Sequence, residues 1–374
     1  MKPPANTALW LTAKRAAWEV APAPYTAPRP NEIVIKNHAI AMNPVDWMMQ
    51  PIGGLIFPWI KYPFILGSDV AGEVIEVGSA VTHFRSGDRV VGHAVGADKM
   101  RNAAAESGFQ NYTVLLAHMA APIPEAMPYE NAVVLPLGLS TAACGLFQKD
   151  QLALAYPSAH PEPQHKTLLI WGGSTSVGSN AIQLAVAAGY DVITTASPRN
   201  FDYVKALGAH AVFDYRSASV VADVIAALQD RTCAGALAIG IGSAEACLAV
   251  VHACRGNKAV AIATPSVSFD TAPEGKGGTL WLIRTIGRLM AANIPLMTKA
   301  QLRGIRTKFI FGSSLQGDEV GPMIYRSFLP DALAEGRYAA APDPMVVGRG
   351  LDKIVSALDH QKKGVSAKKV VVLL

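Results

Sequence analysis

Residues 167–190 constrain the fold more than any other part of this chain. Thr167-Leu168-Leu169-Ile170-Trp171 is a short apolar run suited to a buried strand. It breaks into Gly172-Gly173-Ser174-Thr175-Ser176-Val177-Gly178 and then into an apolar helical segment, residues 179–189. A strand, a small-residue turn and a helix in that order make a phosphate cradle. The turn presents backbone N–H groups, and the helix N-terminus adds about half a positive charge. A second strand, expected at 191–196, ends about twenty residues after the turn, where an NAD-binding chain places Asp or Glu for the ribose hydroxyls. Ser197, Arg199 and Asn200 stand there instead. A carboxylate would repel a 2′-phosphate, whereas a hydroxyl and a guanidinium bind one. The pattern predicts NADPH, held by Gly173, Ser174, Thr175, Ser176 and Val177 at the turn and by Ser197, Arg199 and Asn200 beyond it.

The turn departs from G-x-G-x-x-G: aligned on Gly178, its first glycine is Gly173 and Thr175 fills the second position. Tyr215, after the third expected strand (211–213), is placed either to cover the adenine or reach the 2′-phosphate of the cofactor, or to pack at the sheet edge.

With 374 residues, 51% of them apolar and 16% charged, the chain has material for two cored domains and is not disordered. The N-terminus carries no apolar run of the secretory kind, and the uncharged stretches 131–148 and 167–190 are broken by Gly or Pro, so no membrane span is expected. Four cysteines without a C-x-x-C pair suggest a cytoplasmic protein. The net charge of +5 is uneven: residues 275–317 hold seven cations (Lys276, Arg284, Arg288, Lys299, Arg303, Arg306 and Lys308) and no acid. That strip is either a solvated face or a surface for an acidic partner. No nucleic-acid motif accompanies it.

Up to about residue 136 the chain reads as an irregular β-barrel-like domain, with strands near 31–36 and 69–77 and a turn feeding a strand at 84–92. A helix is expected at 140–147, followed by a Pro-rich loop at 156–165. Strand–helix alternation then predicts six parallel strands at 167–171, 191–196, 211–213, 236–240, 258–263 and 307–312. Residues 279–302 carry a long apolar stripe, with Trp281, Ile283, Ile286, Leu289 and Met290, expected to pack as a helix or to line a tunnel. Helices at 321–336 and 350–362 precede a terminal strand, 369–374, whose apolarity requires a partner sheet in the first domain. The fold class is therefore α/β: a discontinuous domain (1–136 and 317–374) with a Rossmann domain (137–316) inserted.

Asn43-Pro44-Val45-Asp46-Trp47, Leu66-Gly67-Ser68-Asp69-Val70-Ala71-Gly72, Ser86-Gly87-Asp88-Arg89-Val90 and Leu137-Gly138-Leu139-Ser140-Thr141-Ala142 occur in order ahead of the glycine turn. Together these motifs resemble the medium-chain dehydrogenase/reductase family across nearly the whole chain. The turn itself, Thr195-Ala196-Ser197-Pro198 and Phe213-Asp214-Tyr215 resemble its fungal group similar to the trans-acting enoyl reductase of lovastatin synthesis. The resemblance implies a GroES-like barrel for the first domain. It implies that Asn43, Val45, Asp46, Trp47, Ile262, Ala263, Val347 and Gly348 flank the cofactor. It further implies that Thr141 borders the nicotinamide and that Leu137, Gly138, Phe309 and Phe311 face the substrate.

In the zinc alcohol dehydrogenases of the family, three metal ligands fall where this chain has Asn43, Ser68 and Leu137. Leu137 cannot coordinate, and a catalytic Zn²⁺ needs three good protein ligands, so no metal is expected. The structural zinc lobe would lie in 91–116, which contains no cysteine. Without a Lewis acid, hydride transfer to an activated C=C is easier than to a simple carbonyl, because charge flows onto a conjugated oxygen that hydrogen-bond donors can hold. The expected activity is NADPH-dependent reduction of an enoyl thioester, an enone or a quinone. An acyl carrier protein is a candidate partner, and the chain is expected to be a monomer or homodimer. The proton donor is open among Asp46, Tyr62, Tyr112, Thr141 and water. Related chains carry Lys where this one has Met48. The alternative is an NADPH-binding sensor or interaction protein with little turnover.

Overall fold

The computed structural model describes residues 4–273 and 278–374. Lys276 of the basic strip lies outside the described residues. The chain divides into two compact units. Unit 1 comprises Met1–Leu137, Phe269–Thr279 and Gly321–Leu374, and unit 2 comprises Gly138–Ser268 and Leu280–Val320. The expected single stretch 137–316 thus differs from this division at Leu137, at residues 317–320 and at Phe269–Thr279, where Phe269 and Ala272 are buried.

Unit 1 is built on a seven-stranded sheet. Its strands run in the order Asp343–Arg349, Lys368–Leu373, Glu32–Ala41, Asp69–Val77, Arg89–His93 and Ala120–Pro122, with Tyr112–Leu116 also paired to Glu32–Ala41. All pairings are antiparallel except that of the first two strands. The terminal strand finds its partners here, at Ala39–Ala41, as its apolarity requires. A small antiparallel sheet of Trp18–Ala23, Asn6–Leu11 and Phe64–Ile65 closes the other side. One apolar core joins Leu9, Ile35, Ile40, Phe64, Val74, Phe109 and Val370. In the segment between Arg89–His93 and Tyr112–Leu116, Arg101 bridges two buried carboxylates, bonding Glu32 at 2.6 Å and Glu106 at 2.5 Å. This ion triad holds the cysteine-free segment 91–116 together.

Unit 2 is a parallel sheet of six strands in the order Ala211–Asp214, Asp191–Ala196, Thr167–Trp171, Cys233–Ala238, Ala259–Ile262 and Arg306–Phe309. The order reverses between Thr167–Trp171 and Cys233–Ala238, the switch point at which such sheets bind ligands beyond their strand C-termini. The last strand ends at Phe309 rather than 312, although Ile310 N still donates to Ile262 O.

Three helices depart from expectation. The helix expected at 140–147 begins at Pro136, because proline is pre-organised for a first helical turn. The segment expected as one helix at 321–336 contains a π-helix at Met323–Phe328, followed by Leu329–Ala334. Pro330 has no N–H to continue the ladder there. Residues 279–302 do form one helix, Thr279–Leu302, but Ile283, Ile286 and Met290 are exposed rather than packed. The apolar stretch around 131–148 forms two helices, Tyr129–Ala132 and Pro136–Phe147, mostly buried inside the fold.

Candidate functional site

In unit 2 the strand Thr167–Trp171 turns at Gly172, whose φ of +91° favours glycine, and leads into the helix Ser176–Ala187. Thr175 is the N-cap: its Oγ1 accepts from Gly178 N at 3.0 Å and donates to Gly172 O at 2.8 Å. A Cβ on Gly178 would stand 2.3 Å from Gly172 O, so only glycine lets the helix start this close to the strand. The Ser176 and Val177 amides open the helix ahead of its own i→i−4 ladder. Ser176 Oγ is buried without a hydrogen-bond partner, an orphan that a phosphate oxygen would satisfy. Gly173 is buried against Thr194, while Ser174 is half-buried at the tip of the turn. The residues present fit a pyrophosphate.

The strand Asp191–Ala196 delivers Ser197, which is buried, and the short turn Pro198–Asn200 then exposes Arg199 and buries Asn200. Tyr215 follows the neighbouring strand. Hydrogen bonds from Ser197 and then Arg216 hold its hydroxyl pKa below the usual tyrosine value. Arg216 Nε donates to the Tyr215 hydroxyl at 3.3 Å, and its guanidinium lies 5.3 Å from the ring centre. Sequence reasoning missed Arg216. The available signal was a second guanidinium beside Tyr215 at a strand C-terminus.

Ile262 and Ala263 close their strand with backbone groups already committed: Ala263 N donates to Ala238 O, and Ile262 O accepts from Ile310 N. Phe309 and Phe311 form an exposed edge-to-face pair. Thr141 is buried in the second turn of Pro136–Phe147, so neither it nor Ser140 is an N-cap. Gly138 approaches Ser176 so closely that a Cβ would stand 2.4 Å from Ser176 Oγ.

In unit 1 Asn43 precedes the helix Pro44–Ile56, and the Asp46 carboxylate reaches back to accept from Asn43 N at 2.7 Å. Asn43 Nδ2 donates to Asp69 Oδ2 at 2.9 Å, while Asn43 Oδ1 accepts from Lys369 Nζ at 2.6 Å. Lys369 also lies 2.7 Å from Asp69 Oδ2, and the other Asp69 oxygen accepts from Leu137 N at 2.6 Å. Asn43, Asp46, Asp69 and Lys369 are all buried. Burial pushes the Asp46 carboxyl up to about 7, against the lowering effect of its bond from Asn43. His93, paired across the sheet with Asp69, is pushed down to about 4, mainly by burial.

Two of the three positions expected to replace metal ligands meet at one ion pair: Lys369 bonds Asn43, and Asp69 holds the Leu137 amide. Ser68 is the chain neighbour of Asp69, and its backbone oxygen accepts from Ala94 N. An amide beside an ammonium and a leucine that offers only its backbone N–H do not fit Zn²⁺. Neither Asp69 nor Lys369 was singled out from the sequence, since the Lys369–Asn43 bond spans 326 residues.

The other expected unit 1 residues do not join this cluster. Tyr62 turns its hydroxyl toward Gly53, two helical turns beyond Asp46. Trp47 Nε1 donates to Gln361, and Val45 is half-buried beside it in the chain. Val347 sits at a bulge of Asp343–Arg349, next to Gly348, whose Cα faces the Lys353 side chain. Tyr112 packs edge-on against Tyr25.

Residues 29–125 match the family model described as the alcohol dehydrogenase GroES-like domain. The chain is 52% identical over 373 residues to the dehydrogenase pigH of Monascus ruber, covering 99% of this chain and 100% of that protein. It is 38% identical over 375 residues to the trans-enoyl reductase himH of Aspergillus japonicus, covering 98% and 97%. Among solved structures, the quinone oxidoreductase of Coxiella burnetii superposes with a TM-score of 0.67 at 22% identity, covering 99% of this chain and 100% of that one. The chain belongs to the medium-chain dehydrogenase/reductase family, in its group of fungal dehydrogenases and trans-enoyl reductases.

Proposed function

We propose that this chain is a zinc-free, NADPH-dependent reductase that directs hydride to the β-carbon of an α,β-unsaturated carbonyl: an enoyl thioester, an enone or a quinone. The observation that carries this reading is Lys369 Nζ, 2.6 Å from Asn43 Oδ1. A dication about 4 Å from that ammonium would be repelled by about 8 kcal/mol at an effective dielectric of about 20. With no metal to polarise an isolated carbonyl, the acceptor is a conjugated system whose developing oxyanion needs only hydrogen-bond donors. The similarity to the dehydrogenase pigH supports an oxidoreductase, and that to the trans-enoyl reductase himH supports the enoyl type.

When bound, NADPH supplies the hydride. The turn Gly173–Val177 cradles its pyrophosphate through the Ser174, Ser176 and Val177 amides, Gly173 N and Thr175 N being held by Thr195 O and Gly172 O, and Ser197, Arg199, Tyr215 and Arg216 bind its 2′-phosphate. Asn200, Ile262, Ala263, Asn43, Val45, Trp47, Val347 and Gly348 complete the proposed cofactor contacts. Leu137, Gly138, Phe309 and Phe311 are the proposed substrate-side residues. Asp46, with its carboxyl at about 7, holds a proton near neutral pH and is our first choice as donor to the α-carbon, ahead of Thr141 and Tyr62. An acidic acyl carrier protein is a fitting source of thioester substrates, and the four free cysteines fit a cytoplasmic setting.

The test is the loss of NADPH absorbance across a panel of enones, quinones and enoyl thioesters. Turnover of at least one class is expected. Tight NADPH binding with no oxidation by any of them would instead establish a binding protein.

A further inference from the structure

A cavity of about 300 Å³ lies wholly within unit 1. The turn between Asn6–Leu11 and Trp18–Ala23, the helices Pro44–Ile56 and Ile354–Lys363, and Ala272 with Pro273 form its walls. That volume is at the lower end for small-molecule sites, about 300–1,000 Å³, and suits one or two fused rings. Its position on the helix Pro44–Ile56 separates it from the proposed chemistry. Trp47, Gln50 and Pro51 face the cavity, whereas Asp46, Met49, Ile52 and Gly53 are the buried residues of the same helix. At about 100° per residue the two sets point roughly 140° apart, so the cavity lies across the helix from Asp46.

The walls combine flat apolar surface with charge that has no counter-ion. Trp18 and Trp47 are half-buried, and Leu358 is buried. Trp47 Nε1 is satisfied by Gln361, and Lys362 Nζ lies 5.8 Å from the centre of the Trp47 ring. Arg15 has a left-handed backbone, φ +62°, which is uncommon outside glycine. Two bonds fix it there: Arg15 Nε donates to Pro51 O at 3.3 Å, and Gln50 Nε2 donates to Ala16 O at 2.7 Å. Gly278 leaves the guanidinium room, since a Cβ there would stand 2.9 Å from Arg15 Nη1. Among the described residues neither Arg15 nor Lys362 forms an ion pair, and the two Nη groups of Arg15 bond no acceptor.

We propose that this cavity binds a planar aromatic carboxylate, with its ring against the two indoles and its carboxylate on the Arg15 guanidinium and the Lys362 ammonium. The guanidinium fork matches the two oxygens of a carboxylate, and the indoles offer flat surface to a ring. Charge selects the class. Arg15 and Lys362 against Asp359 leave one net positive charge on the walls, which a monoanion balances. A phosphate ester brings about −1.5 to −2 and would set its excess against Asp359. Binding there needs neither cofactor nor turnover, so it stands or falls apart from the reductase reading.

Titration calorimetry of the full chain with 2-naphthoate tests the proposal. One site per chain is expected, with an affinity that falls as salt rises. The uncharged 2-naphthalenemethanol should bind at least tenfold more weakly, and the saturated cyclohexanecarboxylate several-fold more weakly. Arg15→Gln should weaken 2-naphthoate at least tenfold, and Lys362→Met several-fold. Both variants should keep the wild-type circular dichroism spectrum and NADPH affinity, because both side chains are half-buried and neither is a proposed cofactor or substrate contact. Trp47 is also a proposed cofactor contact, so saturation with NADPH tells the two sites apart: the affinity for 2-naphthoate should not change. No binding at millimolar 2-naphthoate, equal affinity in Arg15→Gln, tighter binding of 2-naphthyl phosphate, or displacement by NADPH would each overturn the proposal.

Discussion

Replacing Lys369 with Met is the most informative single perturbation of unit 1. The side chain keeps most of its length and loses its charge, leaving Asp69 fully buried with the Asn43 amide and the Leu137 N–H as its remaining hydrogen-bond donors among the described residues. Removing one member of a buried pair typically costs about 3–5 kcal/mol, because the remaining charge stays desolvated. The double variant Asp69→Asn/Lys369→Met leaves no buried charge at the pair and should lose clearly less than Lys369→Met alone. The two sites should therefore couple by more than about 2 kcal/mol. Urea unfolding followed by tryptophan fluorescence suits the measurement, since Trp10, Trp18, Trp47 and Trp59 lie in unit 1. A loss below about 1 kcal/mol for Lys369→Met, or additive losses in the double variant, would refute the claim that this ion pair organises the Asn43–Ser68–Leu137 region.

Arg199→Asp should weaken NADPH binding far more than NADH binding, and Arg216→Ala should do so to a lesser degree; titration calorimetry with both cofactors would show equal losses if the 2′-phosphate assignment were wrong. Gly178→Ala places a methyl against Gly172 O and should abolish binding of either cofactor while the chain stays folded; retained affinity would remove the cradle from the account. Asp46 and His93 oppose each other in pH dependence. The raised Asp46 pKa makes stability fall as pH rises from about 4 to about 7, and the depressed His93 pKa makes it rise from about 4 to about 6.5. Asp46→Asn should uncover the His93 effect as a gain of roughly 1.4 kcal/mol per pH unit in that window. Superimposable urea-midpoint profiles for the variant and the wild type would count against both shifts.

The Rossmann half was largely legible in the sequence because its information is local. An apolar run, a glycine turn and a helix lie side by side, and parallel strands buried on both faces read as uninterrupted apolar segments. Ser197 and Arg199 could be placed by counting from the turn. The barrel half was legible mainly through its motifs. Its strands bulge at Val34/Ile35 and Asn37/Ala39, which breaks simple alternation. What lay beyond the sequence was long-range. The absence of ligands at Asn43, Ser68 and Leu137 was readable, but the cation beside them enters from the last strand, 326 residues away. The apolar stripe of Thr279–Leu302 was visible too. Its direction was not, because both faces of that helix carry apolar residues and periodicity alone cannot tell the inner from the outer.

Turnover of a conjugated enoyl thioester with NADPH deuterated at the transferable position, in metal-depleted protein and in the presence of a chelator, tests the central claim most directly. Activity should be undiminished, with deuterium at the β-carbon of the product and a solvent proton at the α-carbon. Deuterium at the carbonyl carbon, or activity that returns only when zinc is added, would contradict it.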